Sequence, residues 1–140
     1  MATVAALYTP EVLGLATTLA AWRLDEDLPL RGRARSASCG STLAVGIALD
    51  QQGRIARIGL AAQACAVGQA AAAIMAAQAS GRTREDFAQA EAALVMWLAG
   101  EGALPDWPGL APIVPARAFP ARHGAILLGW RAVLDAFAAG

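Results

Sequence analysis

Lysine is absent from this 140-residue chain, histidine and tyrosine each occur once, and cysteine occurs twice. All 11 basic residues are therefore arginine, and 11 acidic residues bring the formal net charge to zero. A chain without bulk positive charge lacks the electrostatic footprint that holds a phosphate backbone, so no nucleic-acid partner is expected. Richness in alanine and the lack of lysine read as codon composition and carry no function. No basic leader accompanies the apolar stretch Met1 to Leu7, and Pro10-Glu11 follows at once. Export is therefore not expected, and the cytoplasm is the expected location. In that setting two cysteines point to free thiols or metal ligands rather than a structural disulfide. Ile58 to Ala79 carries no charge and is long enough to raise the question of a membrane span. Its Ala, Gly and Gln content gives a weak transfer signal, so a buried strand followed by a buried helix explains it better, and no membrane partner is expected.

The length suits one compact domain with a real core, and residues 1–140 are read as a single domain. Thr9 is a suitable N-cap with Pro10 at the first helical position, which predicts a helix to about Trp22 with Val12, Leu15 and Leu19 on one face. Arg23 to Leu30, followed by Arg31, Arg33 and Arg35 among small residues, has no apolar face and reads as a solvated loop. Leu43, Val45, Ile47 and Leu49 alternate as in a half-buried strand, and Asp50-Gln51-Gln52-Gly53 is a turn. Arg54 to Leu60 resumes the alternation, with Ile55, Arg57 and Gly59 expected on one face and Ala56, Ile58 and Leu60 on the other. A further strand around Arg35 to Ser38 is expected to pair with this hairpin.

Cys65 to Ala79 is helical by composition and ends at Ser80-Gly81. Cys65 then sits at a helix N-terminus, where exposed N–H groups favour a thiolate, the form that binds metal or attacks sulfur. Thr83 and Asp86 make a capping box for a helix whose core face is Phe87, Ala90, Leu94 and Trp97. Gly100 to Pro120 is rich in Gly and Pro, and one short turn around Pro105 to Leu110 is the most it is expected to hold. A last helix from near Pro120 to Ala138 carries the apolar stripe Ile126, Leu127, Trp130, Val133, Leu134 and Phe137. No βαβ alternation and no glycine-rich phosphate loop after a strand are present, so a nucleotide-binding α/β fold is disfavoured. The expected class is α+β, a small three-stranded antiparallel sheet covered by helices.

Three segments stand out in this order: Ser38-Cys39-Gly40-Ser41, Ala64-Cys65-Ala66-Val67-Gly68-Gln69, and Phe119-Pro120-Ala121-Arg122-His123-Gly124-Ala125. With the intervening hairpin and the closing helix, they resemble the NifU N-terminal, IscU and SufU family of iron–sulfur cluster scaffolds, nearest its SufU-like branch through Phe-Pro-x-Arg and Trp130. The resemblance runs from about Tyr8 to Ala136. It implies conserved cysteines gathered at one end of the molecule, holding a nascent cluster or zinc. It also implies a cysteine desulfurase as sulfur donor and apo-proteins as acceptors. Cys39 matches the first family cysteine and Cys65 the second. Ser41 stands where the family has aspartate and Ala125 where it has the third cysteine. Gly124 takes the place of the histidine of the IscU branch, with His123 one residue earlier.

A closed tetrahedral site needs four thiolate, imidazole or carboxylate donors. Cys39 and Cys65 are the candidate ligands, with His123 and Ser41 weaker. A one-residue shift on a helix turns a side chain by about 100°, which aims His123 partly away, and a serine hydroxyl would have to ionise to bind well. Without the resemblance, both cysteines would read as small buried apolar residues. Three roles follow: a scaffold or carrier for iron, a cluster or zinc, with missing donors from a partner, a small thiol or a second subunit of a homodimer; a non-metallated adaptor or regulator of the desulfurase or of cluster delivery; and, last, an enzyme using Cys65. The third would need His123 as its base and has no supporting motif, so no catalytic residue is assigned and no enzyme is expected. Cys39, placed on a loop, is the expected sulfur acceptor.

Overall fold

In the computed structural model, described for residues 4–140, Thr9 caps α1 (Pro10–Thr17) by accepting the Val12 N–H at 3.1 Å. The apolar start read at Met1 to Leu7 thus lies partly outside the described residues. A 3-10 turn over Thr18–Ala21 continues α1 to the end expected near Trp22. The sheet has the order β1-β2-β3 and is antiparallel throughout, formed by β1 (Leu30–Arg35), β2 (Thr42–Leu49) and β3 (Ile55–Gln63). Then come α2 (Ala66–Ala77), α3 (Arg84–Leu98), a 3-10 segment Ala111–Ala118, and α4 (His123–Ala138) entered through a 3-10 turn at Pro120–Arg122. This is the α+β architecture expected, with three differences of position.

The first strand occupies Leu30–Arg35, not Arg35 to Ser38, and residues 37–39 form the turn that follows it. The arginine run read as a loop is therefore a strand. Its inward face consists of Leu30, Gly32 and Ala34, so a single large apolar residue at its start is all the apolar signal it carries. A Cβ on Gly32 would fall 2.2 Å from the Ala132 carbonyl oxygen and 2.4 Å from the Ala136 nitrogen of α4. Bare backbone meets bare backbone there. The second difference is in β3. A register shift between Ala48 and Leu49 pairs Leu49 with Ile55 and Ala48 with Arg57. Ile55 consequently shares the buried side with Leu60, opposite Val45, instead of facing outward with Arg57. The third is the Pro-rich stretch, where the short helix lies at Ala111–Ala118 rather than Pro105 to Leu110. In a 3-10 turn residues three apart eclipse, and Ile113 and Ala116 are the pair it buries.

Helix α4 covers β1 and β2, with α2 and α3 against it and α1 on α2. Leu43, Val45 and Ile47 of β2 lie under it, and its Ile126, Trp130 and Val133 are fully buried. The alanines 70–73 of α2 are all buried, so that helix is enclosed on nearly every side. Thr83 and Asp86 form the expected capping box, and Phe87, Leu94 and Trp97 of α3 are buried. Trp107 stacks edge-on against Phe87 and Trp130 and donates its Nε1–H to the Ile74 carbonyl at 3.2 Å. Among the described residues no helix is long and apolar enough to cross a membrane.

Gly32 and Gly14 make a controlled pair, since a Cβ at Gly14 would meet nothing within 4 Å. Gly32→Ala is expected to destabilise the protein by about 2–4 kcal/mol, because two backbone segments must separate. Gly14→Ala, inside α1, is expected to stabilise it by about 0.5–1 kcal/mol. Equilibrium urea unfolding of both variants checks this, and equal midpoints would contradict the flush packing of β1 on α4.

Candidate functional site

All three segments singled out in the sequence meet at one end of the sheet. The β1–β2 turn carries Cys39, and Thr42 at its base pairs with Gln63, the last residue of β3, two positions before Cys65. Cys65 is the N-cap residue of α2, as expected, without a side-chain capping bond. The first turns of α4 close the third side. A Cβ on Gly124 would lie 2.3 Å from Ser36 Oγ, and one on Gly68 would lie 3.2 Å from the Ala125 Cβ. Ser38 Oγ also donates to the Ala121 carbonyl at 3.2 Å, tying the turn to the approach of α4.

Cys39 is exposed, and two hydroxyls attend its sulfur: Ser41 Oγ at 3.0 Å and Ser36 Oγ at 3.4 Å. Both serines are buried. Hydrogen bonding with Ser36 and then with Ser41 holds the Cys39 thiol below its ordinary range. Burial opposes this, while the Ser41 backbone and, least, the positive charge of Arg122 add to it. The result is an accessible thiol whose ionised form is favoured. Ser41, considered above as a weak metal ligand, is here a hydrogen-bond partner of the thiol. Ser36 and Arg122 were not foreseen in this role. The serines at 36, 38 and 41 around Cys39 were the available signal, and it takes the turn to fold them inward.

Cys65 is half-buried and packs against the hydrophobic core. His123 opens α4, and its Nε2–H donates to the Arg117 carbonyl at 2.8 Å, so the ring is engaged with the 3-10 segment before it. Ala125 is completely buried. Among the described residues no three His, Cys, Asp or Glu side chains gather where they could hold one metal ion. This end of the chain therefore presents two thiols on separate segments, and no closed tetrahedral set.

No family model matches the chain, and no curated protein does. Solved structures do. The N-terminal part of a nitrogen-fixing NifU-like protein from Brucella abortus superposes with a TM-score of 0.84 at 27% identity, over 97% of this chain and 95% of that one. The chain is NifU/IscU/SufU-like. A protein assigned as an iron–sulfur cluster assembly scaffold for the SUF system, from thermophilic Fervidobacterium islandicum AW-1, has the same fold, with a TM-score of 0.82 at 18% identity over 96% of this chain and 99% of that one. In this NifU/IscU/SufU-like chain the three segments of the resemblance occupy one end of the molecule, and the third is represented by Gly124 and Ala125 packed tightly against the other two.

The hydrogen bonds to Cys39 generate a measurable acid–base property. In a Cys65→Ser background, the pH profile of iodoacetamide alkylation is expected to have its midpoint below that of a thiol in an unstructured reference peptide. The depressed value means that thiolate persists to lower pH in the folded protein. Ser36→Ala and Ser41→Ala are each expected to move the midpoint upward; midpoints indistinguishable from the reference peptide in all three proteins would show that the hydroxyls do not act on the sulfur.

Proposed function

We propose that residues 1–140 act as one cytoplasmic iron–sulfur assembly domain of scaffold or carrier type, with Cys39 as its working thiol. The observation that carries this reading is Cys39 itself, exposed on a turn where three segments meet, with its thiolate stabilised by Ser36 and Ser41. Such a thiolate can attack the outer sulfur of a cysteine desulfurase persulfide. The desulfurase cysteine leaves as thiolate and Cys39 becomes the persulfide, with no net oxidation. The domain is then a non-enzymatic acceptor that passes sulfur or a cluster to apo-proteins.

Iron, a nascent cluster or zinc is cargo in this reading, held through Cys39 and Cys65. Two thiolates do not close a tetrahedral site, so the remaining donors come from a partner, a small thiol or a second copy, since a symmetric dimer would bring four thiolates. His123 and Ser41 are poor supplements, one bonded to the Arg117 carbonyl and the other to the Cys39 sulfur. A second reading is favoured by the closed third corner, where Ala125 is fully buried and Gly124 abuts Ser36 Oγ. There the protein is a non-metallated adaptor or regulator that engages the desulfurase or the delivery step without holding metal.

Two experiments separate these readings. Cys39→Ser is expected to abolish sulfur transfer from a desulfurase persulfide, read by mass as loss of the added sulfur, with the thermal midpoint unchanged; undiminished transfer would remove Cys39 from this role. Iron, zinc and acid-labile sulfide per chain after anaerobic reconstitution are expected to exceed those of a Cys39→Ser Cys65→Ser control and to rise further in Ser41→Asp Ala125→Cys. Metal at control level in the unaltered protein would decide for the adaptor.

A further inference from the structure

The outer face of the sheet is only half covered. Residues Arg23 to Leu28 lie across it at the row Arg31, Gly46 and Gly59, where a Cβ on Gly59 would fall 2.0 Å from the Arg23 carbonyl oxygen and one on Gly46 would fall 2.8 Å from Leu28 Cβ. The next two rows, Arg33-Ala44-Ala61 and Arg35-Thr42-Gln63, form the floor and one wall of an open groove of about 540 Å³. This groove runs along the strands and ends beside the turn that carries Cys39.

Arg33 and Arg35 are two residues apart on one strand, so their side chains leave the sheet on the same face. Both are exposed. Among the described residues neither guanidinium lies in an ion pair: those found join Arg57 to Asp27, Arg84 to Glu85 and Arg131 to Glu91. Asp135 lies near the far end, but its carboxylate accepts the backbone N–H of Arg33 at 2.9 Å. Two unpaired cations therefore stand in line above a floor of small residues that lets another chain approach closely.

We propose that this groove receives an extended acidic segment of a partner protein, with carboxylates two residues apart meeting Arg33 and Arg35. The repeat along an extended peptide matches that of β1, and bidentate arginine–carboxylate pairing supplies the specificity. No aromatic side chain lines the groove on which a base could stack, and the chain has no net positive charge, so single-stranded nucleic acid is the poorer fit. A partner seated there would place its neighbouring chain at the Cys39 turn. This docking rests on the sheet face alone and is separable from any sulfur or metal chemistry at Cys39.

The probe is a fluorescein-labelled heptapeptide in which glutamate alternates with valine, followed by anisotropy at low salt. Binding is expected to weaken about tenfold or more in Arg33→Ala Arg35→Ala and to fade with added salt. Arg54→Ala Arg84→Ala, which removes the same charge elsewhere, is expected to bind as the unaltered protein does. Ala61→Trp keeps both arginines but fills the floor, and it too is expected to lose the peptide; thermal melts establish that each variant is folded. The proposal is overturned if the peptide does not bind, if the Arg54 Arg84 control loses binding equally, if Ala61→Trp binds normally, or if an oligothymidylate of equal charge binds more tightly.

Discussion

Gly32 has no side chain, and α4 lies where one would be. The backbone of β1 touches the backbone of α4 at Ala132 and Ala136, and a carboxylate on the same helix, Asp135, takes the neighbouring Arg33 N–H. Ten residues nearer its N-terminus, the helix meets the chain just past β1, with Gly124 against Ser36. Strand and helix thus run antiparallel along the same line. Contact at one end fixes contact at the other, because an α-helix and a strand are both stiff over this length. The position of the Ser36 to Ser41 turn, and with it Cys39, follows from how closely α4 lies on β1.

That closeness has a chemical cost at the third corner. A helix drawn in until Gly124 meets Ser36 Oγ leaves no place for a larger residue at 124, and Ala125 is sealed against the start of α2. The space in which the resemblance would put imidazole or thiolate is filled by a serine hydroxyl and a methyl group. Ser36 is buried yet not unsatisfied, since it bonds Ser38 and the Cys39 sulfur. Hydroxyls and a methyl group thus occupy the corner, and the close approach of Gly124 to Ser36 depends on both residues being small.

Much of this was legible in the sequence wherever signals were local. The Thr83–Asp86 capping box, the alternation of β2 and the N-cap position of Cys65 each rest on a few adjacent residues. The first strand was not legible, because Gly32 and Ala34 show their purpose only when α4 is laid on them. Arginine at alternate positions then looked like a solvated loop, although alternation with a small-residue face is what a strand under close-packed helix backbone requires. The face of Ile55 was misjudged for a similar reason: a bulge changes the phase of the alternation without leaving a compositional mark. At the candidate site, residue identity located the cysteines. The hydroxyls around Cys39 depend on a three-dimensional turn.

Those hydroxyls also bear on which chemistry suits Cys39. A hydrogen bond to a thiolate stabilises it and lowers its basicity, which weakens it both as a metal donor and as a nucleophile, while raising the fraction ionised. Nucleophilicity falls more slowly than basicity, with a Brønsted slope of about 0.4–0.5, so near neutral pH a thiol brought down from its ordinary range gains in thiolate fraction more than it loses in reactivity. A metal site gains less, since the ion can displace the proton itself and the sulfur then has hydroxyl partners competing for its coordination sphere. Exposure on a turn and a thiol held below its ordinary range by hydrogen-bonding serines are together what attack on an incoming sulfur asks for. Cys65, half-buried against the core, has neither that exposure nor attending hydroxyls. The two cysteines thus stand in unequal surroundings, and the difference is set by the turn that β1 and α4 hold in place.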